Sequence, residues 1–220
     1  MRGLLGFVAV VAVVALSSTV SAQGGMKEDP DKKASQAGAV PAGWSVRLDR
    51  ANAKKEDVNF STLGKGMHVT TGPAAVFTNA ANSSAGPFSF GASFTQMKAP
   101  AHPEAYGLMW AGKHLDADGV TYLYYIIRGD GKYMVKHRAN ATDVHTIADW
   151  TESAAINKQD AAGKQTNALE VRVGSDSVRL FANGKPVAAY DTKVMADNTG
   201  LFGIRVNHNL DVHIEGFGRK

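Results

Sequence analysis

The sequence predicts an all-β domain, a sandwich of two antiparallel sheets. Three observations predict it. From Trp44 onward, about a dozen short runs rich in Val, Ile, Tyr and Phe follow one another, bounded by Gly, Pro, Asn or Asp. Many alternate apolar with polar residues, as in Leu169-Glu170-Val171-Arg172-Val173, which marks a strand with one buried face. No helical pattern alternates with the strands, so a parallel α/β fold is disfavoured, and stacking as two layers buries the one-faced strands. No repeat of fixed period appears, which disfavours a propeller or solenoid.

The elements are justified in chain order. Arg2 is a short positive region, and Leu4 to Leu16 is almost wholly apolar. That run is shorter than the ~20 residues that cross a bilayer as a helix. Val20-Ser21-Ala22 fits the small-x-small pattern of signal cleavage, so residues 1–22 read as a signal peptide cut before Gln23. Export to the periplasm or the extracellular space is expected, with no stable membrane insertion afterwards. The chain has no cysteine, so neither a lipid-anchored cysteine nor a disulfide supports it, and a hydrophobic core must. About 200 residues remain, enough to bury one. Net charge is +4 with the basic residues scattered among acidic ones, so no nucleic-acid footprint is present.

Residues 23–43 lack periodicity and large apolar groups and read as a flexible leader. The sandwich domain spans 44–220. Its strands begin with Trp44 to Asp49, then Met67 to Thr71, Ala75 to Thr78 and the aromatic-rich Phe88 to Thr95. Tyr106 to Trp110 follows. Tyr122 to Arg128 and Lys132 to Arg138 form a hairpin across Gly129-Asp130-Gly131, and Val178 to Ala182 meets Pro186 to Tyr190 across Asn183-Gly184. Leu201 to Val206 and Leu210 to Ile214 close the chain. The segments that suit a helix are short: Asp149 to Ala155, or Asn157 to Ala162.

Four groups of residues are candidates for chemistry. In the last strand Leu210, Val212 and Ile214 face the core, which sets Asp211, His213 and Glu215 in a row on the other face, about 6.5–7 Å apart. Such a row serves acid–base chemistry or is an ordinary solvated face. Arg205-Val206-Asn207-His208-Asn209 is a polar cluster at a strand end, suited to sugar hydroxyls or to turn formation. His102, Glu104 and Tyr106 follow a loop stiffened by Pro100 and Pro103, which either presents them or simply connects two strands. The aromatics Trp110, Tyr122 and Tyr124, with Arg128 and Lys136 nearby, form either a sugar-stacking face or core. Asp116-Ala117-Asp118-Gly119 has the start of a calcium loop without its remaining ligands, and no spacing of His residues supports zinc. No cofactor is expected. No HExxH, CxxC, GxSxG or P-loop occurs.

With these residues in view, Trp44 to Phe217 resembles the concanavalin A-like lectin/glucanase superfamily, and within it laminin-G-like and DUF1080-type (3-keto-disaccharide hydrolase) bacterial domains. Four segments carry the resemblance: Tyr106-Gly-Leu-Met-Trp110; Tyr122 to Arg128 with its Gly-Asp-Gly-Lys turn; Val178-Arg-Leu-Phe-Ala-Asn-Gly-Lys-Pro-Val187; and Gly200 to Val206. The resemblance implies a jelly-roll sandwich with one concave sheet that commonly holds carbohydrate. The family-16 glucanases carry a Glu-x-Asp-x-Glu strand, whereas this chain has Asp211-x-His213-x-Glu215 on its final strand. No catalytic role is carried over.

Three functions stay open. The first is a noncatalytic glycan-binding module using His102, Tyr106, Trp110, Tyr124, Arg128, Lys136, Arg205, Asn207, His208, Asn209 and His213. The second is a glycoside hydrolase with Glu104, Asp211 and Glu215 as acid and base. The third is an envelope protein-interaction domain.

Overall fold

In the computed structural model, residues 30–34, 40–195 and 197–220 are described. The expected signal peptide and most of the leader lie outside them. Fourteen strands follow in order: β1 (Trp44–Leu48), β2 (Val58–Leu63), β3 (Gly66–Thr71), β4 (Ala75–Ser84), β5 (Phe88–Gln96), β6 (Ala105–Lys113) and β7 (Thr121–Arg128), then β8 (Lys132–Arg138), β9 (Val144–Glu152), β10 (Gln165–Val173), β11 (Ser177–Ala182), β12 (Lys185–Asp191), β13 (Gly200–Val206) and β14 (Asp211–Arg219). They form two seven-stranded antiparallel sheets. The front sheet runs β1-β4-β13-β6-β7-β8-β9 and the back sheet β12-β11-β10-β5-β14-β3-β2.

The core fills the space between the sheets. Tyr106, Trp110, Tyr125, Phe77 and Phe202 descend from the front sheet onto Phe60, Phe90 and Phe94 of the back sheet, all essentially inaccessible. Each such side chain contributes about 1.5–3 kcal/mol by leaving water. A second apolar layer lies on the far side of the front sheet: Met109, Tyr122, Tyr124, Ile126 and Met134, packed with Leu115, Val144 and Trp150. Strands β6 and β7 are therefore buried on both faces, and they read as continuous apolar runs for that reason.

Both predicted hairpins form. Asn183 and Gly184 adopt φ of 54° and 75°, the paired left-handed conformations of the two-residue turn that matches strand twist. The Gly129–Gly131 turn closes with a bond from the Gly131 amide to the Arg128 carbonyl at 3.1 Å. Two expectations fail. Asp149 to Ala155 is not a helix: through Glu152 it belongs to β9, an edge strand whose register against β8 shifts twice, which breaks the alternation that signals a strand. Asn157 to Ala162 is a non-helical connection, pinned by the Asn157 amide on Asn167 Oδ1 at 2.8 Å. Strand β2 was not anticipated. Part of the leader is also not free, since residues 30–34 lie against the sandwich, where the Lys32 amide donates to Asn209 Oδ1 at 2.8 Å.

Candidate functional site

The outer face of the front sheet carries a charged cluster in its apolar layer. Strand alternation puts Arg205 of β13, Tyr122 and Tyr124 of β7 and Arg138 of β8 on this face, and Asp49 follows β1. Arg205 reaches Asp49 with both Nη1 and Nη2, and Arg138 Nη2 lies 3.4 Å from Asp49 Oδ2. The Tyr122 hydroxyl donates to Asp49 Oδ1 at 3.3 Å and accepts from Arg138 Nε at 3.0 Å and Arg205 Nη1 at 3.2 Å. In sheet order β1 stands four strand spacings from β7, about 19 Å if the sheet were flat. An aspartate and a tyrosine do not bridge that gap. The front sheet therefore curls toward this side, and the face is concave.

Burial shapes the ionisation here. It lifts the Asp49 carboxyl, but Arg205, Arg138 and the Tyr122 hydroxyl outweigh it and hold the acid below its ordinary value. Burial pushes the Tyr124 phenol up to about 12, and that ring lies under the Arg205 guanidinium at 5.3 Å. The middle of the concave face is filled. Arg205 is 5% exposed, Tyr124 5% and Met109 0%, and Arg47 ties the β6–β7 connection over it through the Leu115 carbonyl.

Space opens at one end of this face. A cavity of about 540 Å³ is lined by Pro30, Asp31, Asp49, Arg50, Pro73, Ala74 and His208, within the range of small-ligand sites. His208 sits on the link from β13 to β14. Its Nε2 lies 2.6 Å from Glu104 Oε1 and its Nδ1 3.2 Å from Asp31 Oδ1, while Arg50 pairs with Asp31 Oδ2. The walls thus combine carboxylates, a guanidinium and an imidazole with the apolar edges of two prolines. Among the described residues, no group of three His, Asp or Glu is placed to hold a metal ion, and Asp116 and Asp118 occupy a plain turn.

Of the residues singled out from sequence, Glu104, Arg205, Asn207, His208 and Asn209 come together around this end. Asn207 Oδ1 accepts from Arg205 Nε at 3.2 Å and orients it. Asn209 clamps residues 30–34 and does not face the cavity. The rest are elsewhere. Tyr106 and Trp110 do not form a ligand face: they point between the sheets, with the Tyr106 hydroxyl on Gln165 Oε1 and the Trp110 indole on Asn198 Oδ1, both at 3.0 Å. The register explains it, because Trp110 pairs with inward Leu123 and Met109 with outward Tyr124. Tyr124 is outward but covered. Lys136, opposite Tyr124 on β8, is half-buried at the concave face. Arg128 stacks over Trp150 at 4.3 Å and pairs with Asp130. His102 is exposed on its loop.

Asp211, His213 and Glu215 share the outer face of the back sheet, so they do not join Glu104 in one constellation. His213 pairs across the strands with His68, ring centroids 6.1 Å apart. His213 Nε2 is 3.5 Å from the exposed Glu215, and Asp211 Oδ1 is 3.0 Å from His68 Nε2 without hydrogen-bond geometry.

Four residues of the site were missed: Asp31, Asp49, Arg50 and Arg138. Asp49 and Arg138 had a faint signal, as polar residues ending alternating strands. Asp31 had none, since it lies in the charged leader.

No family model matches the chain, and no curated protein matches it. Solved structures do. A carbohydrate-binding module, CBM66 from Bacillus subtilis, aligns with a TM-score of 0.60 at 12% identity, covering 81% of this chain and 95% of its own. A GH16 protein of the Bacteroides ovatus mixed-linkage glucan PUL, solved with its product, aligns at 0.54 and 8% identity, covering 80% and 94%. An alginate lyase aligns at 0.52 and 12% identity, covering 81% and 94%. At such identities the likeness bears on the fold: a jelly-roll β-sandwich of the concanavalin-like kind.

Proposed function

We propose that this chain is an exported carbohydrate-binding sandwich protein that holds its ligand in the cavity at the end of the concave face and does no chemistry on it. One observation carries the reading. Asp49-Arg50 and His208, from separate parts of the chain, converge on a space of about 540 Å³ that Pro30, Asp31 and Pro73 also border. Carboxylates accept from sugar hydroxyls, guanidinium and imidazole donate to them, and proline rings meet the C–H faces of a pyranose. The jelly-roll neighbours that include a carbohydrate-binding module support the same reading. Export rests on the apolar run before Val20-Ser21-Ala22. A relationship to laminin-G-like and DUF1080-type domains rests on the strand–Asn-Gly–strand segment and its companions.

Calorimetric titration with a panel of oligosaccharides tests the binding. Arg50→Ala, at an exposed side chain, is expected to weaken binding at least ten-fold with an unchanged melting temperature. Glu215→Gln, on the far sheet, is expected to leave it unaltered. If Glu215→Gln abolishes binding and Arg50→Ala does not, the ligand sits on the back sheet. Export is checked by N-terminal sequencing of protein recovered outside the cytoplasm, which should begin at Gln23.

A second reading is favoured by one contact. The 2.6 Å bond between Glu104 and His208 Nε2 orients the imidazole with its other nitrogen toward the cavity wall, the way a general base is held by a carboxylate. That arrangement suits a glycoside hydrolase of the 3-keto-disaccharide type. Sugar turnover abolished by Glu104→Gln would establish it, and turnover that survives this change removes the assignment.

A further inference from the structure

We infer that residues 30–34 form a removable wall of the cavity, and that Asp31 stands where the carboxylate of an acidic sugar, a uronate, docks. This rests on the reading of the cavity as a glycan site and names its ligand class.

The strap has a prepared seat. Asn209 is buried, at 7% exposure, and both groups of its side-chain amide meet strap backbone: Oδ1 accepts from the Lys32 amide at 2.8 Å, and Nδ2 donates to the Pro30 carbonyl at 3.1 Å. Asn209 is fixed in turn, at φ 54°, by its own amide on the Gly72 carbonyl at 3.0 Å. Gly72 is the floor. A Cβ there would lie 1.8 Å from the Lys32 carbonyl oxygen, so the strap seats only over a glycine. Asp31 is delivered by this clamp between the Arg50 guanidinium and the His208 ring, with one carboxylate oxygen on Arg50 and the other 3.2 Å from His208 Nδ1.

The charges show what Asp31 replaces. Around the seated strap stand Arg50, Arg138, Arg205 and His208 with the carboxylates of Asp31, Asp49 and Glu104, and Asp31 is the one that pairs with Arg50. Asp49 belongs to Arg205 and Arg138, and Glu104 belongs to His208. Lifting Asp31 away leaves the Arg50 guanidinium as a donor, joined by His208 Nδ1 when the ring is protonated, around a position that has lost one negative charge. A planar carboxylate with its oxygens splayed fits that position, whereas a neutral hydroxyl leaves the charge unanswered. The docked strap lowers apparent affinity by the fraction of time it occupies the seat.

The test titrates the full chain with oligogalacturonate and with the matching neutral galacto-oligosaccharide, in wild type, Gly72→Ala, Asp31→Ala and Asp31→Ala/Arg50→Ala. Gly72→Ala pushes the strap off its floor. Asp31→Ala keeps the backbone clamp and removes only the competing carboxylate, so it decides the matter if Gly72→Ala folds poorly. The expected result is a ten-fold or larger gain in uronate affinity in the released variants, lost again with Arg50→Ala, and no comparable gain for the neutral sugar. Equal gains for both sugars overturn the acidic-ligand assignment. Neutral-sugar binding by wild type, with no uronate gain in Asp31→Ala, overturns the strap proposal and leaves the glycan reading standing. No binding of either sugar or of the wider panel, in any variant, overturns both.

Discussion

Replacing Asp49 with Asn tests whether the buried charge cluster holds the concave face together. The change is nearly isosteric but removes the carboxylate that serves Arg205 and Arg138. Stripping one partner from a buried ion pair costs about 3–5 kcal/mol because the other charge stays out of water. Asp49 keeps a 20% exposed side chain, and Asn still accepts one hydrogen bond, so about 2 kcal/mol is the expected loss. For a domain of this size that lowers Tm by roughly 4–8 °C. The pH dependence adds a second signature. The folded Asp49 acid lies below its ordinary 3.8, so its contribution is complete above that value and disappears as pH falls through the folded one. Urea melts from pH 7 down to 3 should show wild type losing this increment on the acid side, and Asp49→Asn lacking it. A variant within 0.5 kcal/mol of wild type at pH 7, with the same acid limb, would refute the claim that this cluster is a buried, mutually dependent unit.

Other outcomes are expected. Tyr122→Phe removes a hydroxyl that joins Asp49, Arg138 and Arg205 and should cost about 1–3 kcal/mol in a denaturant melt. Phe90→Ala, at the centre of the inter-sheet core, should cost about 3–5 kcal/mol and leave sugar affinity unchanged in whatever fraction stays folded. Gly184→Val places a branched side chain at φ 75° and should lower stability by at least about 1 kcal/mol, measured by thermal melting. His68→Gln, on the back sheet, should leave glycan titrations superimposable on wild type.

How far the sequence revealed this molecule follows from the range over which each feature is encoded. The hairpins at Asn183-Gly184 and Gly129–Gly131 are local, and both are legible. The alternation along β7 is local too: Tyr122, Tyr124 and Ile126 lie on one face and Leu123, Tyr125 and Ile127 on the other. Which face is the core was not legible, because the second apolar layer makes both faces hydrophobic. Trp110 was accordingly grouped with the outward tyrosines, although its register sets it inward opposite Leu123. The site is non-local throughout. Asp49 and Arg205 are 156 residues apart, and Asp31 and His208 are 177 apart, so no spacing rule connects them. Glu104 and His208 were each noticed as polar groups near strand ends, but nothing in the linear pattern told that they touch. The Asp211–Glu215 row was assigned to the right strand and outward parity, yet only the sheet order shows that it faces away from the cavity.

The order in which the strands are made bears on how the molecule is assembled. Each of the two closing strands inserts inside a sheet: β13 lies between β4 and β6, and β14 between β5 and β3. Before residue 200 has been synthesised, the front sheet is two unconnected ribbons and so is the back. The native pairing of Val69 with Val212 must wait for the last segment of the chain. Until those strands arrive neither sheet is continuous, so completing the fold depends on contacts between distant residues, at a rate set by topology. Trimming its final twenty residues would remove the keystone of both layers at once.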